Sequence, residues 1–356
     1  MTGLLPHATL GAPVPSDNQV PRIKPGKLPA AKLRKLLTGL RREDPRVIIG
    51  PQVGEDASVI AFADRCLVVT TDPVTFATDR IGWYTVHVNA NDVAVMGATP
   101  RWLSVVLLLP EHDTTETLVD GIMQDVHDTA QSLGITVCGG HTEITTGLDR
   151  PIVVGQMLGE VARDRLVAKT GLEVGDRIIL TQGVAIEGTA LLAREKRDAL
   201  RGQVADDVLA RAERFLFDPG ISVVTAVRAA LEVSSVHAMH DPTEGGLIGG
   251  LCELAAASST GLHLRSDQVP VFPETAAVCR PFKVDPMQLI ASGALLIGAP
   301  ENDTDRIIAA LELQNIPAVV IAEVRPAAAG VTIEANGVTL PLQTPDRDAI
   351  ASVLEH

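Results

Sequence analysis

Three acidic side chains in the first half of the chain lie where apolar segments begin, end or turn. Asp56 comes just before a β-branched segment, Asp72 ends the next one, and Asp92 lies inside the small, apolar stretch Val86–Pro100. Carboxylates that converge from strand ends and a helix form the oxygen site that Mg2+ prefers, and Mg2+ takes its other ligands from water and phosphate oxygens. The three residues therefore predict a magnesium site for a nucleoside triphosphate, although each one alone is equally typical of a surface turn.

The stretch Val86–Pro100 predicts the helix that carries Asp92. Asn91 precedes Asp92 and lies four residues after His87, so the side chains of Asn91 and His87 share one helix face. Gly97 and the proline at the end of the stretch stop the helix. A buried carboxylate needs a cation or several donors, which supports Asp92 as a metal ligand. His87 either reaches the site or is a structural histidine.

A Gly-Gly pair follows an apolar strand in the middle of the first half. Gly139 and Gly140 permit close approach of a phosphate to backbone N–H groups, and Thr142 follows them. An ordinary tight turn explains the pair as well and is favoured for the pair alone. His141 and Glu143 add two titratable groups and are candidate catalytic residues. His141 is a general base, a phosphate donor or a structural hydrogen bonder.

The segment Asp241–Gly246 follows a second predicted strand and opens a predicted helix. A helix N-terminus with glycines holds phosphate, so Thr243, Gly245 and Gly246 are candidate nucleotide-binding residues and Asp241 is a candidate catalytic residue. A helix cap by Asp241 or Thr243 is the alternative, but a cap does not explain both glycines. Neither a lysine-bearing phosphate loop nor a dinucleotide-binding glycine motif occurs. ATP would therefore be bound through acidic residues and a metal ion.

The composition excludes several classes of partner. The chain has 356 residues, a net charge of −14 and a sequence pI of about 5.1, which disfavours nucleic acid and an anionic membrane surface. The four cysteines form no C-x-x-C pair, so a zinc site and a disulfide framework are disfavoured and a reducing cytoplasm fits. We find no apolar run of membrane-spanning length and no secretory signal.

The pattern of predicted elements indicates two domains. Residues 28–168 predict an α+β layer of strands and helices, and residues 169–353 predict an α/β domain that begins at KTGLEVG. Residues 1–27, rich in Pro and Gly, are expected to form a flexible arm. Leu354–His356 is expected to be the start of a vector-encoded histidine tag. Cys138, after an apolar strand, is expected to be buried.

Taken in order, these segments resemble the AIR synthase superfamily. That group includes aminoimidazole ribonucleotide synthetase, thiamine monophosphate kinase, selenophosphate synthetase and the carbamoyl-dehydratase-type hydrogenase maturation factor. The likeness is strongest to the hydrogenase maturation branch. The matching motifs are GEDASV (54–59), TTDP (70–73), HVNANDVAVMGATP (87–100), GGHTEIT (139–145), KTGLEVGDRIILT (169–181) and HDPTEGGL (240–247).

The resemblance implies the roles of several residues. Asp56, Asp72 and Asp92 would hold Mg2+ on the phosphates of ATP, with Asn91 beside them as a nucleotide-binding residue. Asp241–Gly246 would lie at the phosphate or acceptor side of the cleft. The resemblance also implies a homodimer whose N-terminal sheets pair into a β-barrel, with the C-terminal domain closing over the ATP site. The shared chemistry is attack on the γ-phosphate, often by an amide or carbonyl oxygen.

Two departures from the family pattern affect the expected acceptor. Relatives usually carry an acidic residue where His141 stands, and the nearby Glu143 is one replacement for it. The carbamoyl dehydratase carries its substrate on a cysteine at its extreme C-terminus, whereas the last cysteine here is Cys279. A shortened chain would explain the missing cysteine, but we favour a paralogue with a different acceptor.

Three hypotheses about function follow. The preferred one is a cytoplasmic, Mg2+-dependent ATP-using enzyme that phosphorylates or activates a small-molecule or protein-bound acceptor. The second is a small-molecule kinase similar to thiamine monophosphate kinase. The third is a non-catalytic nucleotide-binding partner in a maturation complex. Gly183 and Gly188, in QGVAIEGTALLA, either contact the acceptor or form a strand-to-helix turn.

Overall fold

The computed structural model describes residues 28, 30–40, 43–75, 77, 79–343 and 349–354. The predicted arm at residues 1–27 and the last two residues of the predicted tag lie outside these ranges. Within the described ranges, every helix is too short or too polar to cross a membrane. The chain builds two mixed β-sheets, one in each half, and both sheets are covered by helices.

The first half contains a six-stranded sheet in the order β1-β2-β3-β6-β4-β5. All neighbours in this sheet are antiparallel except the parallel pair β4 and β5. The strands are β1 (Val47–Ile49), β2 (Ser58–Phe62), β3 (Arg65–Val74), β4 (Thr99–Pro110), β5 (Thr136–Thr145) and β6 (Ile152–Ala162). The helices are α1 (Ala30–Leu37), α2 (Ile81–Val95) and α3 (Glu116–Ser132).

Helix α2 is the central element of the molecule. It is apolar on nearly all sides and almost wholly buried, which is typical of a helix enclosed in a core. The strands β3 and β6 and the helix α3 cover it on the side of the first half. Gly82 permits this packing, because a Cβ at that position would lie 2.5 Å from the carbonyl oxygen of Ile122. The side chains of Ala94 and Val95 belong to a core cluster of the second half.

Strand β5 differs from its prediction in two respects. We predicted a turn at Gly139 and Gly140, but that prediction was wrong, because the strand continues to Thr145. Gly140 is required by the close approach to β4, since a Cβ there would lie 2.0 Å from the carbonyl oxygen of Val105. Cys138 is exposed and not buried, because β5 is the edge strand of the sheet and both of its faces are open in a single chain.

The second half contains a seven-stranded sheet in the order β13-β12-β9-β11-β7-β10-β8, in which only β12 and β9 run parallel. The strands are β7 (Arg177–Thr181), β8 (Ala238–His240), β9 (Gly261–Arg265), β10 (Leu296–Ala299), β11 (Ala318–Arg325), β12 (Val331–Ala335) and β13 (Val338–Pro341). The helices are α4 (Ile186–Glu195), α5 (Arg197–Leu200), α6 (Asp206–Arg214), α7 (Val224–Val233), α8 (Gly246–Ser258), α9 (Pro273–Phe282), α10 (Thr304–Glu312) and α11 (Ala349–Leu354).

Helices cover both faces of this second sheet. Residues of α4, α6, α8 and α9 share one aliphatic core cluster, and residues of α7 and α10 share another. The start of α8 differs from the predicted cap. Asp241 or Thr243 as the N-cap was the alternative interpretation, but the helix begins at Gly246 and its N-cap is Gly245, with φ of 85°. Asp241 is therefore free of a capping role.

Candidate active site

The carboxylates predicted to bind metal converge between the two halves of the chain. The Thr70 hydroxyl, on β3, lies 2.7 Å from Asp92 Oδ2 on α2 and donates to the backbone carbonyl of Asp56 at 2.9 Å. Burial raises the pKa of Asp92 well above its usual range, and the charges of Asp72, Asp241 and Asp56 act in the same direction. Asp92 is thus within electrostatic reach of three other acidic side chains.

Asp56 is held by a lysine from the second half. The Nζ atom of Lys169 donates to Asp56 Oδ1 and to the backbone carbonyl of Gly54, both at 2.7 Å, and the Lys169 side chain is fully buried. Burial by itself would raise the pKa of Asp56, but the ammonium group of Lys169 and the imidazole of His240 outweigh it and hold the pKa well below its usual range. Asp56 is therefore ionised in the folded protein.

His240 and Asp241 complete a set of metal-ligand atoms with Asp56. Their ligand atoms lie within 4.8 Å of one another. His240 Nδ1 is 3.3 Å from Asp56 Oδ2, and its Nε2 is 2.9 Å from Glu253 Oε2. Burial and Lys169 oppose the charged form of His240, but the carboxylates of Asp56 and Glu253 outweigh them, so its pKa is raised.

Both carboxylate oxygens of Asp241 are buried, and no hydrogen-bond partner for them occurs in the described part of the chain. Burial raises the pKa of Asp241 to about 7, and the negative charge of Asp56 contributes to the rise. The second oxygen of Asp56 also accepts no hydrogen bond from the described residues. Buried oxygens without donors are costly unless a cation binds them, so this donor set fits a divalent ion.

Asp72 stands at the border between two cavities beside the carboxylates. A 340 Å3 cavity is lined by residues 50–52, 55–58 and 69–72, and Asp72 also lines a smaller cavity of 70 Å3. The side chain of Asn89, on α2, fixes this strand end, because its Oδ1 accepts from the Asp72 backbone N–H at 3.1 Å. Asn89 Nδ2 in turn donates to the backbone carbonyls of Asp72 and Thr85.

Two family models together match most of the chain. Residues 54–161 match the model of the N-terminal domain of AIR synthase related proteins, and residues 173–333 match the model of the C-terminal domain. The chain belongs to the AIR synthase related protein family.

Individual members of the AIR synthase family are similar to this protein over most of its length. A putative hydrogenase expression/formation protein of Methanocaldococcus jannaschii, MJ0676, is 27% identical over 266 residues, which is 73% of this chain and 76% of that protein. The carbamoyl dehydratase HypE of Escherichia coli is 26% identical over 273 residues, 76% of both chains.

Solved structures of family members share the fold. The crystal structure of E. coli HypE matches with a TM-score of 0.68 and 25% identity, and covers 80% of this chain and 87% of its own. HypE in complex with ATP matches with a TM-score of 0.65 and 22% identity, over 90% and 91% of the two chains. The thiamine monophosphate kinase of Aquifex aeolicus matches with a TM-score of 0.65 and 18% identity, over 87% and 97%.

Asn91 lies next to Asp92 in this AIR synthase fold but faces the second half. Its Nδ2 donates to the backbone carbonyl of Ile221 at 2.8 Å, and its Oδ1 accepts from the backbone N–H of Val223 at 2.9 Å. Both ends of the side-chain amide are thus engaged by the segment that precedes α7. The observed contacts of Asn91 hold the two halves together.

The predicted residues on β5 lie apart from the carboxylates within one chain. Two strands, β6 and β4, separate β3 from β5, so β5 is three strand spacings, about 14 Å, from the strand that carries Asp72. His141 Nε2 is 3.4 Å from Glu143 Oε2, and both side chains are more than half exposed. The roles predicted for these two residues and for Gly139, Gly140 and Thr142 stay predictions.

The turn between β8 and α8 lies beside the carboxylates. Asp241 belongs to the candidate metal site, and Thr243 lines the 70 Å3 cavity together with Asp72. Gly246 closes the turn by donating its N–H to the carbonyl of Thr243 at 3.0 Å, and Gly245 precedes it as the helix N-cap. The nucleotide-binding roles of Thr243, Gly245 and Gly246 stay predictions.

Several residues of this site were not predicted from the sequence. Thr70 and Asn89 orient the carboxylates, and Lys169 and His240 compensate the charge of Asp56. Lys169 lies in a segment that we interpreted only as a domain boundary, and His240 was noted only as the residue before Asp241. No spacing in the sequence indicates that Lys169 contacts a carboxylate 113 residues earlier.

Proposed function

We propose that this protein binds ATP with Mg2+ between its two halves and uses the γ-phosphate to phosphorylate or activate an acceptor. The observation that carries the proposal is the set of ligand atoms of Asp56, His240 and Asp241, with Asp92 in electrostatic reach and Asp72 lining two cavities. One cavity has room for the phosphates and the other lies where an acceptor would approach them.

Asp56, Asp92 and Asp241 would hold Mg2+, and Asp72 would face the phosphates. When bound, Mg2+ neutralises phosphate charge and makes the γ-phosphate open to attack. Side chains of the protein itself compensate part of the negative charge at this site. Lys169 keeps Asp56 ionised, and the buried, donor-free oxygens of Asp241 favour a cation. The 340 Å3 cavity along residues 50–52, 55–58 and 69–72 would take the phosphate chain.

The relatives support this proposal and favour a role in hydrogenase maturation. HypE is named a carbamoyl dehydratase, one HypE structure contains ATP, and MJ0676 is named as a putative hydrogenase expression/formation protein. We therefore propose a HypE-like maturation enzyme with its own acceptor. We also propose a cytoplasmic homodimer. A small-molecule kinase remains the second candidate, because side chains of both halves line a separate cavity on the acceptor side.

Calorimetric titration of ATP in the presence of Mg2+ tests the proposal. Asp92→Asn is an informative variant, because burial already favours the uncharged form of Asp92 in the metal-free protein. We expect Asp92→Asn to fold with nearly unchanged stability but to bind MgATP at least about tenfold more weakly, as expected for a lost ligand charge. Asp64→Asn, in the exposed turn between β2 and β3, is the matched control and should bind normally.

Equal MgATP affinity in Asp92→Asn and the unsubstituted protein would refute the metal assignment. ADP release in the presence of candidate acceptors separates an enzyme from a nucleotide-binding scaffold. Tight MgATP binding without ADP release for any acceptor, together with a stable protein partner, would favour the scaffold.

A further inference from the structure

The 70 Å3 cavity next to Asp72 has a distinctive chemical lining. Three acidic side chains, Asp72, Glu187 and Glu244, line it together with Tyr84, Thr243 and Ser292, and aliphatic side chains form the remaining wall. None of the described residues that line the cavity is basic. An anionic group would therefore be repelled, whereas a cationic group with N–H donors would find acceptors on several sides.

We propose that this cavity is the acceptor subsite and that Glu187 selects an acceptor whose end group is a small nitrogen cation, such as an amidinium or guanidinium. This inference rests on the proposed function. The lining supports the choice, because carboxylate and hydroxyl oxygens around the cavity would accept from the several N–H groups of a planar nitrogen cation.

Glu187 is fixed in the cavity by its backbone. It is the second residue of α4, and its N–H donates to the Ser292 carbonyl at 3.3 Å. The next residue, Gly188, allows α4 to pack directly on the segment before Ser292, since a Cβ there would lie 2.8 Å from the Ile290 carbonyl oxygen. Glu187 is only 6% exposed and lies in the first turn of α4, where the N-terminus of the helix favours a negative charge.

Two hydroxyl groups add to the expected recognition. Ser292 is 1% exposed, and its Oγ has no hydrogen-bond partner in the described part of the chain. A buried hydroxyl without a partner is costly, and an entering N–H group would satisfy it. Burial raises the pKa of Tyr84 well above its usual range, and the charge of Glu187 adds to this rise, so the Tyr84 hydroxyl stays protonated.

The position of Asp72 connects this subsite to the phosphates. Asp72 lines both the 70 Å3 cavity and the 340 Å3 cavity, so a group bound in the smaller cavity touches the border with the larger one. Thr243 and Glu244, from the turn before α8, close the smaller cavity on the side of the second half. An end group bound at Glu187 would therefore hold the acceptor beside the γ-phosphate.

Three probes of nearly equal shape test the charge preference: acetamidinium, acetamide and acetate. Each is titrated into the full chain that is saturated with Mg2+ and a non-hydrolysable ATP analogue, and binding is followed by chemical-shift changes. We expect acetamidinium to bind at least about tenfold more tightly than acetate, as for a charge-assisted hydrogen bond. Acetamide should bind with intermediate affinity.

Glu187→Gln should weaken acetamidinium binding about tenfold and reduce the difference in affinity between acetamidinium and acetamide. The affinity for the ATP analogue should stay unchanged. Ser292→Ala is a second variant and should weaken all three probes. Glu312→Gln, at the exposed end of α10, removes the same charge elsewhere and should change nothing.

Failure of this inference is distinct from failure of the proposed function. If the ATP analogue binds with Mg2+ but acetate binds as well as acetamidinium, or Glu187→Gln leaves acetamidinium binding unchanged, the acceptor assignment is wrong and the ATP site stands. If the analogue does not bind at all, the proposed function is wrong and the acceptor assignment falls with it.

Discussion

Lys169 is the residue on which the charge balance of the site depends. It is fully buried, and its two described hydrogen-bond partners are the carboxylate of Asp56 and the carbonyl of Gly54. A buried ion pair adds little net stability, but removal of one partner leaves an uncompensated charge in a low-dielectric site. The effect of Lys169 on stability therefore acts through Asp56.

Lys169→Met is expected to lower the free energy of unfolding by about 3–5 kcal/mol, measured by urea denaturation without metal. The double variant Lys169→Met, Asp56→Asn should lose much less than the sum of the two single losses, because no buried charge then remains. Lys35→Met, on the exposed side of α1, is the control. A loss below about 1 kcal/mol for Lys169→Met would contradict this account.

His87 carries a second prediction at the residue scale. Burial lowers its pKa to about 4 from 6.5, and neither ring nitrogen has a hydrogen-bond partner among the described residues. The unfolded chain binds a proton at this histidine near pH 6.5, whereas the folded chain does not until about pH 4. The free energy of unfolding should therefore fall as the pH drops through this window, by up to about 3 kcal/mol.

His87→Leu is expected to remove this part of the acid sensitivity, because the substituted side chain does not titrate. The measurement is the free energy of unfolding from urea titrations between pH 7 and pH 4, a range set by the two pKa values. His112→Leu, at a side chain that is 84% exposed, is the matched control and should keep the original slope. Identical slopes in the two variants would disprove the prediction.

At the scale of elements, α2 joins the two halves through Asn91. Its side-chain amide satisfies one carbonyl and one N–H of the segment before α7, and Asn91 is itself fully buried. The same helix presents Asp92 to the carboxylate cluster. The position of the second half is therefore coupled to the helix that carries a metal-ligand candidate.

Asn91→Ala is expected to lower the free energy of unfolding by about 2–3 kcal/mol, because the Ile221 carbonyl and the Val223 N–H lose their partner. If Asn91 acts only as this connection, MgATP affinity measured by calorimetry should change by less than about threefold. Asn302→Ala, at an exposed position, is the control for stability. A loss of MgATP affinity without a loss of stability would instead support the nucleotide-binding role that the sequence suggested.

At the scale of the whole molecule, the edge strand β5 is left open by a single chain. Its ten residues are exposed along nearly the whole length, whereas β6 alternates between buried and less buried positions. Ile144 on β5 is 60% exposed, and Trp102 on the neighbouring strand is 39% exposed. A long edge strand with unpaired backbone groups is a template for a second chain.

We predict that β5 pairs with β5 or a neighbouring strand of a second copy in solution. Sedimentation velocity should give twice the 37.5 kDa mass of one chain. Ile144→Lys should shift the protein towards the monomer, because a charge would be buried in the interface. Leu313 follows the last residue of α10, and its side chain is 82% exposed. Leu313→Lys should therefore leave the dimer intact. A single-chain mass for the unsubstituted protein would rule the dimer out.

Much of this protein could be derived from its sequence alone. Apolar patterns predicted the helix that carries Asp92, the strand that follows Asp56 and the strand that carries Asp72. The prediction that these acids meet Asp92 came from residue type, because buried carboxylates need a shared cation. Family motifs in the right order predicted the two-domain fold.

Only the tertiary structure decided how the charges are compensated and which way each polar side chain faces. Lys169 and His240 reach Asp56 from the other half of the chain, and Asn91 turns away from Asp92 towards Ile221. Periodicity encodes which positions are buried but not which distant segment covers them. The partners of a buried charge depend on distances between packed elements, and those distances are properties of the folded chain.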